Sequence, residues 1–415
     1  MTGTEIDLAQ AAEEAWLYAL PLIEFAWTRQ RSLGLGAKLN RFVAMANLAD
    51  HNSRIVTTPN NDTLYSTGQI DLSGGPVTLV IPPSGERYLS VALMDAYTNN
   101  TAVLGTRTVG PEGGRFRLVG PAEAGSDADT VRLPTNQVWA LARIMVDDEE
   151  DLPAARAVQA GITLDGPALD DASPRADRKA DWRDYFAVAD RLMALNPPPA
   201  TDRRLLRLIA PLRLGTGNFD ASAFSNQEQE AIAQGVERAR ASVRRVEGGA
   251  RGIRGWYYPP QGLGNFGQAY RFRAQIALGA LAALPPEEAM YMRALGPDKG
   301  LFDGNRAWRL HFPAGQTPPV DAFWSLTLYE PTEDGQFFFT DNPIRRYAIG
   351  SRTKNLRHAA DGALDLWIGH DRPEDDKASN WLPAPAGPFA LFMRAYLPQL
   401  ALQSGSYRLP EVVLA

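Results

Sequence analysis

Phe323-Trp-Ser-Leu-Thr-Leu-Tyr329 is the stretch on which the reading of this chain turns. Side chains of an extended strand alternate between its two faces, so Trp324, Leu326 and Leu328 share one face and Ser325, Thr327 and Tyr329 the other. A strand with one apolar face belongs to a sheet lying over a core. Leu364-Asp-Leu-Trp-Ile368 and Pro388-Phe-Ala-Leu-Phe-Met-Arg-Ala-Tyr396 repeat the strand character downstream, and residues 301–415 are expected to form a C-terminal β-sandwich module. Upstream, Thr78-Leu-Val-Ile81 and Tyr88-Leu-Ser-Val-Ala-Leu-Met94 lie between turns at Ser73-Gly-Gly-Pro76, Pro82-Pro-Ser-Gly85 and Pro111-Glu-Gly-Gly114. They predict an N-terminal β module over residues 41–150.

Between the two the period lengthens. Asp181–Asn196, Gln227–Glu247 and Tyr270–Leu284 read as helices, the first stopped by Pro197-Pro-Pro199 and the last by Pro285-Pro286. Residues 151–300 are therefore expected to be a helical middle region. Residues 1–40 form an N-terminal helical segment, with an amphipathic helix from Glu5 to Arg29 that Pro21 should kink or end. The fold class is α+β: two antiparallel β-sandwich or barrel-like modules with a helical middle segment. Arg238, Arg240, Arg244 and Arg245 read as a solvated or acid-paired helix surface rather than a phosphate site.

The chain has 415 residues, of which 45% are hydrophobic, enough to bury a large core without staples. It has no cysteine, which removes disulfides, thiolate nucleophiles and cysteine-ligated metal sites. A net charge of −6 argues against a nucleic-acid partner. No apolar run approaches the length of a membrane span, and the N-terminus is acidic and polar where a signal peptide would be basic and then apolar. A cytoplasmic, soluble protein is expected, with a homodimer among its possible states.

His51, His311, His358 and His370 share no metal-ligand spacing. No metal site is expected. Gly262-Leu-Gly264-Asn-Phe-Gly267 matches the dinucleotide fingerprint letter by letter, but it follows Trp256-Tyr-Tyr-Pro-Pro260 rather than the strand of a βαβ unit. It reads as a glycine-rich loop entering a helix. Two polar clusters remain where the β pattern breaks: Thr57-Thr-Pro-Asn-Asn-Asp-Thr-Leu-Tyr65, and Asp95-Ala-Tyr-Thr-Asn-Asn100 with Gly105-Thr-Arg-Thr108. Such residues also build turns and caps. Their density supplies donors, acceptors and a base, the ingredients of acid–base chemistry. Trp256-Tyr-Tyr258, Trp324 and Asp341-Asn-Pro-Ile-Arg-Arg-Tyr347 add aromatic and cationic groups that suit a pocket wall.

Around these residues the sequence resembles the family that joins an N-terminal domain of unknown function 1254 to a C-terminal domain of unknown function 1214. Thr58-Pro-Asn-Asn-Asp-Thr-Leu-Tyr-Ser66, Tyr97-Thr-Asn99 and Gly105-Thr-Arg-Thr108 carry the N-terminal likeness. His311-Phe-Pro-Ala-Gly-Gln-Thr-Pro-Pro319, Ala322-Phe-Trp-Ser-Leu-Thr327, Asp341-Asn-Pro-Ile-Arg-Arg-Tyr-Ala-Ile-Gly350 and Ser379-Asn-Trp-Leu-Pro-Ala-Pro-Ala-Gly-Pro-Phe389 carry the C-terminal one. The resemblance implies β modules packed with helices and no known cofactor; it assigns no activity. It raises the weight of the polar clusters. The expected function is a cofactor-independent lyase or hydrolase acting on a hydrophobic, aromatic small molecule. Asp62 would be the base, Tyr65 or Tyr97 the acid or phenol-binding group, and Arg107 or Arg346 the stabiliser of negative charge. Asn60, Thr63, Asn99, Tyr258 and Trp324, with Arg346, would contact the substrate. The alternatives are a non-catalytic small-molecule or carbohydrate binder using an aromatic sheet face, and a scaffold contacting partners through its charged middle helices.

Overall fold

The computed structural model describes residues 7–54, 57–124, 127–244 and 252–415. Helix α1 (Leu8–Gly34) starts at Asp7, whose carboxylate accepts from the Gln10 N–H at 2.9 Å. Of the two effects expected of Pro21, a kink or an end, it does not end the helix: it sits inside α1, which runs on to Gly34. An internal proline costs about 3 kcal/mol. Here the surrounding residues, Trp16 to Ala26, are almost wholly buried, and that packing outweighs the local cost.

The N-terminal strands are β1 (Phe42–Met45), β2 (Thr63–Asp71), β3 (Val77–Ile81), β4 (Leu89–Asp95), β5 (Asn100–Gly105), β6 (Gly114–Val119), β7 (Thr130–Arg132) and β8 (Gln137–Met145). After helix α2 (Leu152–Gly161), the short β9 (Thr163–Asp165) returns to pair with β3. Two sheets result, in the orders β1-β2-β8-β4-β5 and β7-β6-β3-β9. Leu64, Ile70, Leu79, Leu93, Leu118 and Ile144 fill the space between them. Leu164 of β9 continues that core, so the sandwich draws in residues beyond the expected boundary at 150.

The middle region contributes α3 (Trp182–Leu195), α4 (Arg203–Ile209), α5 (Asn226–Ser242) and α6 (Tyr270–Gly279). All pack on α1, so the N-terminal segment and the middle region share one helical core that includes Trp16, Leu20, Tyr185, Phe186, Ile232 and Val236. Gly235 lets α5 approach closely, because a Cβ there would lie 2.1 Å from the Ala9 carbonyl oxygen. Arg238 and Arg240 pair with Glu13 and Glu237 at 3.1 and 2.8 Å; the expected helix end at Glu247, and Arg245, lie outside the described residues. Helix α6 stops at Gly279, short of Leu284, and Ala282 follows in the left-handed region at φ 66°.

β structure resumes earlier than expected, with β10 (Gly252–Ile253), β11 (Trp256–Tyr257) and β12 (Ala289–Ala294). Then come β13 (Phe302–Asp303), β14 (Trp308–Phe312), β15 (Val320–Pro331), β16 (Phe337–Phe338), β17 (Ala348–Gly350), β18 (Leu364–Gly369), β19 (Trp381–Pro383), β20 (Pro388–Pro398) and β21 (Val412–Leu414). One sheet runs β10-β11-β12-β20-β15-β16, and β19-β18-β14-β21 covers its inner face. Trp324, Leu326 and Leu328 of β15 meet Leu310, Leu366, Leu391 and Met393 in that core, as the alternation predicts. The architecture is α+β, built of sandwiches rather than a closed barrel.

The two sandwiches also meet each other. The outer faces of β4, β8 and β2 lie against those of β15, β20 and β12, with Tyr88, Ala92 and Met145 on one side and Ala289, Phe323 and Tyr396 on the other. At the rim, the acidic run after β8 faces a basic segment: Asp147 pairs with Arg352 at 2.5 Å, and Asp148 and Glu150 both with Lys354 at 2.7 Å. Among the described residues, no helix is long and apolar enough to cross a membrane.

Candidate functional site at the junction of the sandwiches

Alternation explains why this junction is polar. With Val138, Ala140, Ala142 and Ile144 committed to the N-terminal core, Arg143 must project from the outer face of β8. Tyr65 lies directly across from it on β2. On β20, Leu391, Met393 and Ala395 point inward, which sends Arg394 and Tyr396 outward. Ser325, Thr327 and Tyr329 of β15 and Tyr291 of β12 share that face.

Asn60 joins the two sides. Its Nδ2 donates toward the Tyr396 hydroxyl at 2.7 Å, the Tyr65 hydroxyl at 3.1 Å and Thr63 Oγ1 at 3.3 Å. Its Oδ1 accepts from the Asp62 N–H at 2.7 Å, a side-chain turn that fixes the loop leading into β2. Asp62 Oδ2 accepts from Ser325 Oγ at 2.6 Å. Burial raises the Asp62 pKa above the usual carboxylate range, while Arg394 and the Ser325 bond act against that shift.

Arg394 is held on all sides. It donates to Thr327 Oγ1 at 2.6 Å, to the carbonyls of Thr58 and Pro59 at 3.1 and 3.2 Å, and to the Tyr329 hydroxyl. Thr58 adopts φ 49°, a strained conformation for a β-branched residue. The Arg394 contact and an N–H bond to the Phe337 carbonyl at 2.8 Å keep it there.

Arg143 is different. It is 5% exposed, its Nη2 donates to the Ala282 carbonyl at 3.1 Å, and its Nε and Nη1 have no hydrogen-bond partner. The Tyr65 ring lies 5.6 Å from the guanidinium carbon. An arginine keeps its charge at any working pH, and leaving buried donors unmatched is costly. Tyr291 and Tyr396 have pKa values raised chiefly by burial, so both stand as neutral phenols. Tyr65 on one sheet and Tyr291 and Phe392 on the other are only half-buried. A crevice of about 80 Å³ at the rim, lined by Asn61, Asp62, Asp147, Ser325 and Arg352, reaches Asp62 from the surface.

Of the residues singled out in the sequence, Asn60, Asp62, Thr63 and Tyr65 come together here. Arg107 stands at the edge, its Nε 2.7 Å from Glu288 Oε2, whose other oxygen accepts from Tyr88. Tyr97 lies elsewhere, in the helical core, donating to the Asn196 carbonyl at 2.9 Å. Asn99 braces the turn after β4 through Asp95 and the Phe266 N–H. Tyr258 accepts from the Leu409 N–H at 2.9 Å. Trp324 faces the C-terminal core beside Phe312, and Arg346 ties down the carbonyls of Ser379 and Trp381. Those five stand apart from the junction. Sequence reasoning passed over Arg143, Arg394, Tyr396 and Tyr291. Their signal was a polar side chain at the outward positions of otherwise apolar strands.

A second cavity, of about 730 Å³, lies against Gly252, Tyr257, Lys299, Trp308 and Glu411, far from these groups. Among the described residues, no three His, Cys, Asp or Glu side chains are placed to hold a metal ion.

The family model "Protein of unknown function (DUF1254)" matches residues 39–166, and "Protein of unknown function (DUF1214)" matches residues 288–400. The matched regions follow the two sandwiches, and the junction takes Tyr65 and Arg143 from the first and Tyr291, Arg394 and Tyr396 from the second. The crystal structure of the VPA0106 protein from Vibrio parahaemolyticus is similar at a TM-score of 0.77 and 22% identity, covering 98% of this chain and all 100% of that one. At that identity the likeness shows the fold alone. An uncharacterized protein from Burkholderia cenocepacia covers 94% of this chain and 91% of its own at a TM-score of 0.45 and 14% identity, too low to carry an argument. No curated protein matches the chain.

Proposed function

We propose that this chain, which belongs to the family pairing a DUF1254 region with a DUF1214 region, is an acid–base enzyme working at the junction of its two sandwiches. Its substrate would be a small molecule with an aromatic or apolar body and a negatively charged or charge-developing oxygen. The reaction would be of the lyase or hydrolase class. The observation that carries this reading is Arg143, a buried cation with two unmatched donors beside a group of tyrosines. Such donors suit an anionic head group, or an oxygen that gains charge as a neighbouring bond breaks.

Asp62 would remove the proton. Its raised pKa brings it closer to the working range of a base that must also return the proton, and Ser325 orients it. Tyr65 and Tyr396, both linked to Asn60, would act as hydrogen-bond donors toward the leaving or enolate oxygen. Arg143 takes the stabilising role that the sequence suggested for Arg107 or Arg346, since both of those are engaged elsewhere.

The test is turnover of a panel of aromatic carboxylic and hydroxy acids by the purified chain, followed by product mass spectrometry. Asp62→Asn should lower kcat by about 100-fold or more. Arg143→Met should weaken binding and slow turnover together. Unchanged turnover in both Asp62→Asn and Tyr65→Phe would remove this machinery, and saturable binding with no product would favour the binder instead.

A further inference from the structure

A further buried arginine lies outside the junction, near the start of α6. Arg273 is 1% exposed, and its guanidinium carbon sits 5.1, 5.5 and 5.3 Å from the ring centroids of Tyr18, Tyr97 and Tyr270. Tyr18 is in turn 5.5 Å from Tyr97 and 5.4 Å from Tyr270, so the three rings form a cage. Burial raises the pKa of Tyr18 and of Tyr97, which keeps both rings neutral. The cage offers quadrupoles to the cation, and the buried Asp95 carboxylate acts on it through space without a direct ion pair.

The nearby carboxylates feel the Arg273 charge but accept their hydrogen bonds from other groups. Asp202 accepts from the Tyr18 hydroxyl at 2.8 Å on one oxygen and from the Tyr270 hydroxyl at 3.0 Å on the other. Asp95 accepts from Asn99. Among the described residues Arg273 has no ion-pair partner, and its Nε and Nη2 have no hydrogen-bond partner. Those two nitrogens share one edge of the guanidinium, and their N–H bonds run parallel. That edge is the one that receives both oxygens of a carboxylate side by side.

The cage is not sealed on every side. Tyr270 is half-buried, and the loop before it carries Gly262, Gly264 and Gly267 at φ 78°, 77° and 52°. No side chain caps the α6 N-terminus at Ala269. The loop is pinned to the turn after β4 through Asn100 N–H to the Gly264 carbonyl at 2.7 Å and Phe266 N–H to Asn99 Oδ1 at 3.1 Å. That turn holds Thr98 at φ 68°, with its hydroxyl buried and unpartnered.

We propose that Arg273 is the anchor of a second ligand site, which takes a small organic monocarboxylate on its Nε/Nη2 edge within the tyrosine cage. The site is separate from the junction and does not depend on the function proposed there. Two experiments on the full chain test it together. Crystals soaked in sodium bromide should give an anomalous peak within hydrogen-bonding distance of both Nε and Nη2 of Arg273. In an Arg143→Gln background, which silences the junction cation, calorimetry with acetate and with benzoate should show one saturable site. Adding Arg273→Gln should weaken it at least tenfold. The bromide measurement uses the unaltered protein, so misfolding of the Arg273 variant leaves the proposal open to refutation. It is overturned if bromide avoids that edge. It is equally overturned if bromide binds there but neither carboxylate does (a halide site only), or if carboxylate binding survives in a folded Arg273→Gln protein.

Discussion

Strands β15 and β20 present two faces made from the same residues in alternation, and the faces could hardly differ more. Inward lie Trp324, Leu326, Leu328, Leu391 and Met393, packed as hydrocarbon against β14 and β18. Outward lie Ser325, Thr327, Tyr329, Arg394 and Tyr396, equally buried but hydrogen-bonded, Thr327 to Arg394 within the sheet and the others to the loop that leads into β2. The first face holds one module together by surface removed from water. The second face makes one protein out of two modules, and it does so with directional bonds that fix side chains in place. Burial alone therefore does not distinguish scaffold from site in this molecule. What distinguishes them is whether every buried donor has found an acceptor, and Arg143, on the facing strand β8, is a donor left unmatched at the junction.

Removing Arg394 should have the largest effect. Arg394→Met leaves the Thr58 carbonyl, Thr327 Oγ1 and the Tyr329 hydroxyl short of a donor, at a cost of about 4 kcal/mol in chemical denaturation. A cost under about 1 kcal/mol would mean that the outer face is not structural. Leu326→Ala, one residue along β15 from Ser325 and facing the other way, should cost about 3 kcal/mol by opening a cavity, while leaving ligand affinity unchanged. A loss of binding in that variant would blur the division between the faces.

Arg143→Met sharpens it from the opposite direction. Exchanging an unmatched buried cation for a thioether of similar reach should leave stability unchanged or raise it by about 1 kcal/mol, with binding lost. Asp62→Asn tests the same point through pH. Because burial lifts the Asp62 pKa above its ordinary value of 3.8, folding favours the protonated acid. Wild-type stability should therefore fall as pH rises from near 4 through the raised folded pKa, and the asparagine variant should lack that slope. Arg352→Ala, at the exposed rim, should cost less than about 1 kcal/mol, and the difference should fade in high salt.

The sandwiches were legible because alternation is a property of single strands: Trp324, Leu326 and Leu328 declare their face without knowledge of any neighbour. The loop from Asn60 to Tyr65 was legible because its residues are polar where the strand pattern breaks. Arg143 and Arg394 were not, because an outward arginine reads the same whether water or a second sheet covers it. Only the stacking of the modules, which no local period encodes, turns those outward positions into an interior. Tyr97 shows the converse. It looked like part of the polar cluster in sequence, but the chain turns after Asp95 and delivers it to the helices.

The place of α1 bears on how the protein is made. Its partner α5 begins at Asn226, nearly two hundred residues after α1 ends at Gly34, and the two meet closely enough for Gly235 to lie on the Ala9 carbonyl. A ribosome extending a chain at about 5–20 residues per second needs roughly 10–40 seconds to cover that distance. For most of that interval the helices that pack on α1 have not been synthesised, since α3 begins only at Trp182 and α5, its most extensive neighbour, follows α4. The nascent chain thus carries α1 with its apolar side only partly covered until late in translation, which leaves that side open to chaperones and proteases while the remaining helices are made.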